Sequence, residues 1–597
     1  MLEKLHISMV DKTTDTLRGG IFCALIFLAC FWLAWPVAQM GFLDDWSYIK
    51  TAEVFAQTGQ MVYNGWASPM LGWMIPWGAL FIKLFGFSFM TVKLSTLPVA
   101  VATLVLFHAI LRRFEIGPRN AVIGTLTLGL SPLFLPLSAS FMTDIPGLFA
   151  IVLCLYCCQR ALAAGSDRAA IAWLAAGAAT NVVGGTARQV AWLGVLVMVP
   201  CTGWLLRKRR KVLAAALGLW LAGTGAVFYC VHWFAQQPYS VPLALWPKRF
   251  SSVPVKLFYS AVVVNQIGAE LLCLLLVIFP VLVAWLGELG LGRRVGRYAA
   301  LFCAGFLPLV AVKAVLGPFG ELWPPHMLFK ELSMRKDAGM RWHLDIQRSL
   351  LPFPARWVIS SVVLCAFYGC VLAVRRKGWE GICADEVKAR EIFWLCVPYS
   401  AAYVVLLLPS AFLKVTFDRY ALGIMPCAIA GSLWLYGRCV RERLPAVGLV
   451  FLAFFGAFSV AGTHDWFAWQ RARLAAIGEL RKAGVPRTEI RGGFEYDGWT
   501  QVEDGGHMNN AAIKVPPGVF DRSSLPLQVS RRCLYLFGIE VPRVHPEYSV
   551  AVGRRSCYLP SRIAAVHYTA WLPPFRRTIE VQRVPDSGAE KVRASNR

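Results

Sequence analysis

The chain has 597 residues, of which 57% are hydrophobic and 16% are charged, and its mean hydropathy is +0.54. Soluble globular proteins carry about 25% charged residues, so this composition excludes an ordinary soluble protein and indicates a polytopic membrane protein. The formal net charge of +26 does not indicate a nucleic-acid partner. The basic residues lie between the apolar runs, as orientation signals do, instead of clustering in one polar region.

Apolar runs long enough to cross a bilayer recur along the chain. The first run leads into a long loop, in which Thr51–Gln57 is predicted as a short helix. Met70–Phe85 is apolar but short and contains a proline and a lysine, so we interpret it as a re-entrant or interfacial helix. The sequence then predicts thirteen spans, at about residues 20–39, 90–111, 120–138, 145–164, 169–185, 189–206, 212–234, 261–286, 298–316, 356–374, 392–412, 421–437 and 445–461.

The distribution of lysine and arginine predicts the orientation of these spans. With a cytoplasmic N-terminus, each predicted inner loop is basic, for example at Arg112 and Arg113 and at residues 207–211. The short outer loops carry few basic residues. Two longer outer segments, Gln236–Tyr259 and Gly317–Ala355, join later spans, and the second is rich in basic residues. The pattern predicts a multi-pass protein of the cell (inner) membrane.

Residues 462–597 are predicted to form a separate extracytoplasmic domain, after a membrane domain of residues 1–461. It begins with a predicted helix, Phe467–Lys482, and continues with short β-type runs, including a hairpin signal at Asp497-Gly498. The fold class is therefore mainly α, with a small C-terminal α+β domain. Cys533 and Cys557 lie in this domain, and the sequence leaves open whether they form a disulfide.

Two adjacent carboxylates, Asp44 and Asp45, follow the first span directly. Ionisable groups at the membrane boundary are candidates for function. Adjacent side chains point in different directions, so only one of the pair can address a given point, and the other is expected to support it. The alternative is a polar helix end that Trp46 and Tyr48 anchor at the interface. Asp144 opens to the same outer face as the pair.

Asp144 begins a predicted span together with Pro146, so helix capping by Thr143 or Asp144 is one interpretation. The other is that Asp144 lies beside Asp44 and Asp45 and either orients an acceptor or shares a divalent cation with them.

Basic side chains at the same outer level are candidates for binding a phosphate, because a guanidinium binds oxyanions through two points. Arg188 begins a span, and Arg419 follows Asp418 at the entrance to another. A simple Asp418–Arg419 ion pair is the alternative. Lys83 and Lys93 either contribute charge or extend their side chains towards water. The sequence contains no Walker loop, zinc motif, nucleophile elbow or dinucleotide fingerprint.

The order of these motifs resembles that of bacterial GT-C membrane glycosyltransferases of the family-39 type, which are related to protein O-mannosyltransferases and to aminoarabinose transferases acting on lipid A. The resemblance covers roughly residues 20–200 and the region of Arg419. It is carried in order by Asp44-Asp45, Ser131-Pro132-Leu133-Phe134, Thr143-Asp144-Ile145-Pro146, Arg188-Gln189 and Asp418-Arg419-Tyr420.

The resemblance implies a GT-C fold and transfer of a sugar, with inversion, from a polyprenyl-phosphate donor to an acceptor at the outer membrane face. Asp44 or Asp45 would be the base, Asp144 the second acid, and Arg188, Arg419 and Lys83 the donor phosphate-binding residues. Family members often have Asp-Glu where this chain has Asp44-Asp45. The aminoarabinose enzymes carry Lys-Pro-Pro where this chain has Ser68-Pro69-Met70, which shifts phosphate binding towards the arginines.

The partners implied are the lipid donor, membrane lipid and a glycan, lipid or protein acceptor; the sequence requires no cofactor. A transporter or lipid flippase is the alternative function, since it would also place ionisable groups near spans. It would be expected to show inverted repeats and charges along a path through the membrane, and neither is evident. A receptor or assembly factor with a glycan-binding outer domain is the third.

Overall fold

The computed structural model describes residues 2–242, 253–289, 351, 353–382, 386–412, 417–521, 536–554 and 557–585. Most of them are helical. The helices before residue 236 are α1 Leu2–Leu33, α2 Asp45–Thr58, α3 Met74–Phe85, α4 Phe89–Leu94, α5 Thr96–Arg113, α6 Pro118–Gly129, α7 Phe134–Ser138, α8 Asp144–Leu162, α9 Asp167–Gly185, α10 Val199–Leu205 and α11 Arg210–Ala235. A 3₁₀ turn, Gln189–Trp192, and a π turn, Gly194–Met198, precede α10.

The later described helices are α12 Val253–Val277, α13 Phe279–Leu282, α14 Phe353–Ile382, α15 Glu386–Phe412, α16 Met425–Cys439, α17 Val447–Lys482 and α18 Phe494–Gly505. Short 3₁₀ helices occupy Val283–Leu289, Asp418–Gly423, Arg487–Glu489 and Leu536–Ile539. The strands are β1 Ile490–Arg491, β2 Tyr548–Val552, β3 Leu559–Pro560, β4 Val566–Thr569 and β5 Arg576–Arg583. The mainly α fold with a small C-terminal sheet is as the sequence predicts.

Within the described residues, seven helices are long and apolar enough to cross a membrane. An eighth span results if Gln266–Val277 and Phe279–Leu289, which meet at 69°, form one bent crossing. The protein is therefore a multi-pass membrane protein, but the predicted count of thirteen is not confirmed. Two of the predicted spans, 120–138 and 189–206, consist of shorter pieces, and residues 298–316 lie outside the described part.

Two short elements before α5 agree with the interpretation of the first loop. The predicted helix Thr51–Gln57 lies within α2, which begins earlier, at Asp45, and ends where Gly59 adopts a left-handed conformation with φ of 72°. The apolar segment Met70–Phe85 contains only a short helix, α3, in agreement with a segment that does not cross the bilayer. Whether α3 lies at the interface stays a prediction.

Helix α17 continues without a break through the predicted domain boundary at residue 461. Its apolar N-terminal half and its polar C-terminal half were predicted as a span and a separate helix. Both halves form one helix of 36 residues, because the change in polarity at His464 does not interrupt the backbone hydrogen bonds. The C-terminal region is thus joined to the membrane region by a rigid element.

The C-terminal sheet has the strand order β1-β2-β5-β3, and β4 also pairs with β5. β1 and β2 are parallel, and the other pairs are antiparallel. The predicted hairpin at Asp497-Gly498 is wrong, since both residues lie inside α18. A packing reason is evident: an added Cβ at Gly498 would lie 2.6 Å from the ring of Trp46, so glycine permits α18 to pack closely against α2.

Hydrogen bonds join the C-terminal region to the loop between α2 and α3. The N–H of Met508 donates to the carbonyl of Asn64 at 2.8 Å, and the Asn510 side chain donates to the carbonyl of Gly65 at 2.9 Å. Cys557 is disulfide-bonded. Cys533, the partner that the sequence suggests for it, lies outside the described residues, as do the basic residues of the predicted outer segment Gly317–Ala355.

Candidate active site

Asp44 and Asp45 occupy very different surroundings although they are adjacent. Asp44 precedes α2, and its side chain retains 25% of its exposure, whereas Asp45 is completely buried. Leu43, just before the pair, has the left-handed φ of 55°. Such a conformation costs a non-glycine residue about 1–2 kcal/mol and therefore needs support from its surroundings. The backbone turns sharply here, and of the two carboxylates only that of Asp44 stays partly exposed.

Asp45 holds two loops together. One carboxylate oxygen accepts the N–H of Phe42 at 2.5 Å, and the other accepts the N–H of Phe141 at 2.9 Å, from the loop that leads to Asp144. Burial is the largest influence on this carboxyl and raises its pKa to about 6, against the opposing influence of Lys93 and the two backbone donors. Both oxygens of the buried Asp45 carboxyl are thus engaged by backbone N–H groups of the protein.

Asp44 contacts two donors that come from distant parts of the chain. Its Oδ1 accepts the indole N–H of Trp66 at 3.0 Å, and its Oδ2 lies 3.4 Å from a guanidinium nitrogen of Arg419. The same guanidinium lies 4.0 Å from Asp144 Oδ1, measured from Nε. Arg419 therefore bridges the two acids, which are separated by 100 positions in the sequence.

Asp144 forms a second ion pair, with Arg188 at 2.8 Å, and its side chain is almost fully buried. Thr143 precedes the helix, but its side chain makes no capping bond to it and instead accepts a hydrogen bond from Arg188 at 3.3 Å. Gly147 allows this approach, since an added Cβ would lie 2.9 Å from the Arg188 side chain. The first turn of α8 thus presents a carboxylate to two arginines.

The four charged side chains Asp44, Asp144, Arg188 and Arg419 balance one another in formal charge. Burial by itself would lower the pKa of Arg419, but Asp144 and Asp44 raise it above its usual value, so the guanidinium stays charged. Its backbone N–H donates to the Asp418 carboxylate at 2.7 Å, while its side chain faces the other two acids. An Asp418–Arg419 helix-end pair alone does not describe this arrangement.

Aromatic residues line the cluster. Tyr48 is buried, and burial raises its pKa well above the usual value, so its phenol keeps its proton. The guanidinium of Arg188 lies over the ring of Tyr420 at 5.4 Å. Trp46 is fully buried as well. The interpretation of Trp46 and Tyr48 as anchors at the membrane surface is therefore wrong, because both pack inside the protein.

Lys83 does not join the cluster. It lies in the last turn of α3, on the exposed side of that helix, and the hydrogen bonds and ion pairs described for the cluster do not include it. Lys93 is the buried lysine instead: its ammonium donates to the carbonyls of Met40 and Ala38. It thereby holds the segment that leads into Asp44, and it does not extend towards water.

Trp66 is a member of the site that the sequence did not predict. Its indole closes one side of Asp44 and packs against Phe494 and Phe537 of the C-terminal region, at ring distances of 5.5 and 5.4 Å. Tryptophan near a predicted interface is common in membrane proteins, so its position in the sequence alone did not distinguish it. Within the described residues, no three His, Cys, Asp or Glu side chains converge as a metal-binding set.

Residues 67–234 match the model of the family described as dolichyl-phosphate-mannose-protein mannosyltransferase. The resemblance to GT-C glycosyltransferases is confirmed. The matching segment is under a third of the chain; it contains Asp144 and Arg188 and lies between Asp44 and Arg419. The roles of individual residues therefore rest on the geometry of this chain and not on the family match. No curated protein sequence matches the chain.

Three solved GT-C structures are similar to the chain. ArnT from Cupriavidus metallidurans bound to undecaprenyl phosphate is 14% identical, with a TM-score of 0.35 over 94% of this chain and 97% of that one. The S. cerevisiae protein O-mannosyltransferase Pmt1–Pmt2 complex bound to the sugar donor is 17% identical, with a TM-score of 0.30 over 37% of this chain and 33% of that one. The Archaeoglobus fulgidus oligosaccharyltransferase is 13% identical, with a TM-score of 0.44 over 89% of this chain and 64% of that one. This chain thus spans about a third of the yeast chain.

Proposed function

We propose that the protein is a membrane glycosyltransferase that transfers a sugar from a polyprenyl-phosphate donor to an acceptor at the outer face of the cytoplasmic membrane. The observation that carries the proposal is the position of Arg419 between Asp44 and Asp144. The partly exposed carboxylate of Asp44 lies beside the charged guanidinium of Arg419. A carboxylate can remove a proton and a guanidinium can bind a phosphate, so one reacting centre could use both groups.

Asp44 is the base in this proposal. An acceptor hydroxyl is a poor nucleophile until a carboxylate accepts its proton, an effect worth about 10² to 10⁴ in rate. Asp44 keeps a quarter of its side chain exposed, whereas Asp45 and Asp144 have almost none. The hydrogen bond from Trp66 fixes the orientation of the carboxylate. Asp45 and Asp144 then act as positioning residues for the two loops and the two arginines.

Arg419 and Arg188 bind the donor phosphate. The leaving group is a phosphate, so what lowers the barrier is a fixed positive charge where negative charge develops. The side chain of Arg419 is 11% exposed and that of Arg188 is 17% exposed, so both are largely buried but still accessible to a ligand. Lys83, which was predicted to share this role, is not part of the proposal.

The step is a direct displacement with inversion. The acceptor oxygen forms a bond to the anomeric carbon, and the bond from that carbon to the phosphate oxygen breaks. The hydroxyl proton passes to Asp44, and polyprenyl phosphate leaves with the electron pair of the broken bond. The two guanidinium groups balance the added negative charge of the phosphate.

An apolar cavity lies behind the 3₁₀ helix that carries Arg419. The cavity is small, and it is lined by residues of α12, of α15 and of the segment after Arg419, among them Glu270, Leu271, Val404 and Leu407. Undecaprenyl phosphate is bound in the ArnT structure and is a ligand of that protein; for this chain a polyprenyl donor is a proposal.

Purified protein in proteoliposomes tests the proposal when supplied with polyprenyl-phosphate sugars labelled in the sugar, one hexose and one pentose at a time, and with lipid, glycan and peptide acceptors. We expect label to move to one acceptor and Asp44→Asn to reduce the rate by about 10² or more. Asp504→Asn is the matched control, since Asp504 lies half-exposed in the C-terminal region. Transport of the labelled lipid across the bilayer without transfer would instead favour the flippase alternative.

A further inference from the structure

The surface that carries a further inference is a loop of the C-terminal sheet, Trp571–Phe575, which joins β4 to β5. It lies against α17 at the point where that helix leaves the membrane. From Val447 to Thr463 the helix contains no charged residue. At 1.5 Å per residue this is about 25 Å, close to the thickness of the hydrocarbon core of a bilayer. His464 and Asp465 therefore mark the boundary of that core.

The loop is fixed to both boundary residues. Asp465 accepts the backbone N–H of Trp571 at 2.6 Å and that of Leu572 at 2.9 Å. The ring of His464 stacks on the indole of Trp571, with 4.0 Å between the ring centroids and 10° between the planes. The loop is thus held at the depth of His464 and cannot lie far above the membrane.

The side of α17 that leads to His464 is apolar and exposed, as expected of a surface in contact with lipid. Val450 is 66% exposed and Phe454 is 64% exposed, both within the apolar half of the helix. His464 lies fourteen residues after Val450, close to four helical turns, so it continues the same face. Trp571 therefore covers the His464 end of an exposed apolar surface of a membrane-spanning helix.

The loop presents an apolar surface and few unpaired backbone groups. Trp571 is 42% exposed and Phe575 is 58% exposed. Pro573 and Pro574 have no N–H, and the N–H groups of the two preceding residues are bound to Asp465. The buried guanidinium of Arg577 donates to the carbonyls of residues 572, 573 and 574 at 3.1, 3.4 and 3.1 Å. Irregular backbone at membrane depth needs such internal pairing.

We propose that the Trp571–Phe575 loop enters the boundary between headgroups and acyl chains of the leaflet at the His464 end of α17, and that phospholipid is its partner. Tryptophan and other aromatic side chains favour this layer. Arg576, which follows the loop, is exposed and can meet lipid phosphates. The sheet is thereby held to the bilayer as well as to α17.

Photocross-linking tests the proposal on the full-length protein. Phe575 is replaced by p-benzoylphenylalanine, and the protein is reconstituted in nanodiscs of phosphatidylethanolamine and phosphatidylglycerol, irradiated and digested. We expect the peptide that contains position 575 to gain the mass of a phospholipid. The matched control places the same residue at Lys482, which is 76% exposed at the far end of α17, about 27 Å beyond His464.

The proposal requires on the order of ten-fold more lipid adduct at position 575 than at position 482, since one position contacts lipid and the other water. Equal yields at the two positions would overturn it, as would a cross-link from position 575 to a second copy of the chain. Phe575 is exposed, so its replacement is not expected to prevent folding, and elution as a single species in size-exclusion chromatography checks this. The outcome does not depend on whether the protein transfers a sugar.

Discussion

Two aspartates that are neighbours in the sequence differ in what they can do because one is exposed and the other is bonded on both oxygens. Asp44 lies partly open beside Arg419, while Asp45 accepts hydrogen bonds from residues 42 and 141. The sequence predicted that one of the pair would support the other, but not which. The deciding contact, to Phe141, joins residues 96 positions apart, and no local pattern encodes it.

Asp45→Asn is expected to lower stability. An amide has one acceptor oxygen, so its NH₂ group would face one of the two backbone N–H donors and leave it unpaired in the interior. A buried unpaired donor costs about 1–3 kcal/mol. The thermal unfolding midpoint in detergent measures the effect, with Asp504→Asn as the control on an exposed carboxylate. An unchanged midpoint for Asp45→Asn would show that these two bonds do not hold the loops.

The raised pKa of Asp45 also predicts a pH dependence. The folded protein holds this proton up to about pH 6, whereas the unfolded chain releases it near the usual value of 3.8. Between these values the folded state binds more protons, so stability contributed by Asp45 falls as the pH rises from about 4 to about 6 and is constant above that. The difference in unfolding midpoint between wild type and Asp45→Asn, followed across this range, isolates the effect. A difference that grows with pH would contradict it.

Arg419→Lys is expected to weaken donor binding while the positive charge is kept. A lysine ammonium cannot bind a phosphate through a planar fork, so a change in affinity of about ten-fold or more is expected. Equilibrium binding of polyprenyl phosphate to the protein in nanodiscs measures it. Arg471→Lys is the control, because Arg471 contacts only the carbonyls of Trp35 and Val37 among its described hydrogen bonds. Equal affinities for wild type and Arg419→Lys would remove Arg419 from the phosphate site.

At the scale of elements, hydropathy predicted the positions of the long apolar helices well, as α5, α8 and α11 show. It predicted less about how helices are broken or joined. Residues 189–206 form 3₁₀, π and α turns in succession, and α17 continues from its apolar half into its polar half without interruption. Neither feature depends on mean polarity. The Asp497-Gly498 signal, which is typical of a hairpin, was overridden by packing of α18 against α2.

Helices α17 and α18 are joined by a buried ion pair, which gives a prediction at this scale. Arg473 and Glu495 lie 2.8 Å apart, with 4% and 0% of their side chains exposed. Glu495→Gln would leave the buried guanidinium of Arg473 without its counter-charge. The free energy of unfolding is expected to fall by about 3–5 kcal/mol. Glu479→Gln, which breaks the exposed pair with Lys482 on α17, is expected to leave the unfolding midpoint almost unchanged, because solvent screens this pair. Similar unfolding midpoints for the two variants would contradict this.

At the scale of the whole molecule, the C-terminal region is part of the site's support. Its residues bind the loop that carries Trp66, and Trp66 in turn holds Asp44. The sequence predicted the region as a separate domain with the correct fold class, because helix and strand signals are local. It did not predict the contacts with Trp66, since these join residues more than 400 positions apart.

The role of Asp44 as the base of a sugar transfer is tested most directly by a measurement that does not require the acceptor to be known in advance. Cell-envelope glycans and lipids are analysed by mass spectrometry in cells that lack the gene and in cells complemented with wild type, Asp44→Asn or Asp504→Asn. We predict that one species loses the mass of a sugar in the deletion strain and regains it with wild type and Asp504→Asn, but not with Asp44→Asn. Full restoration by Asp44→Asn, at wild-type protein levels, would contradict this role.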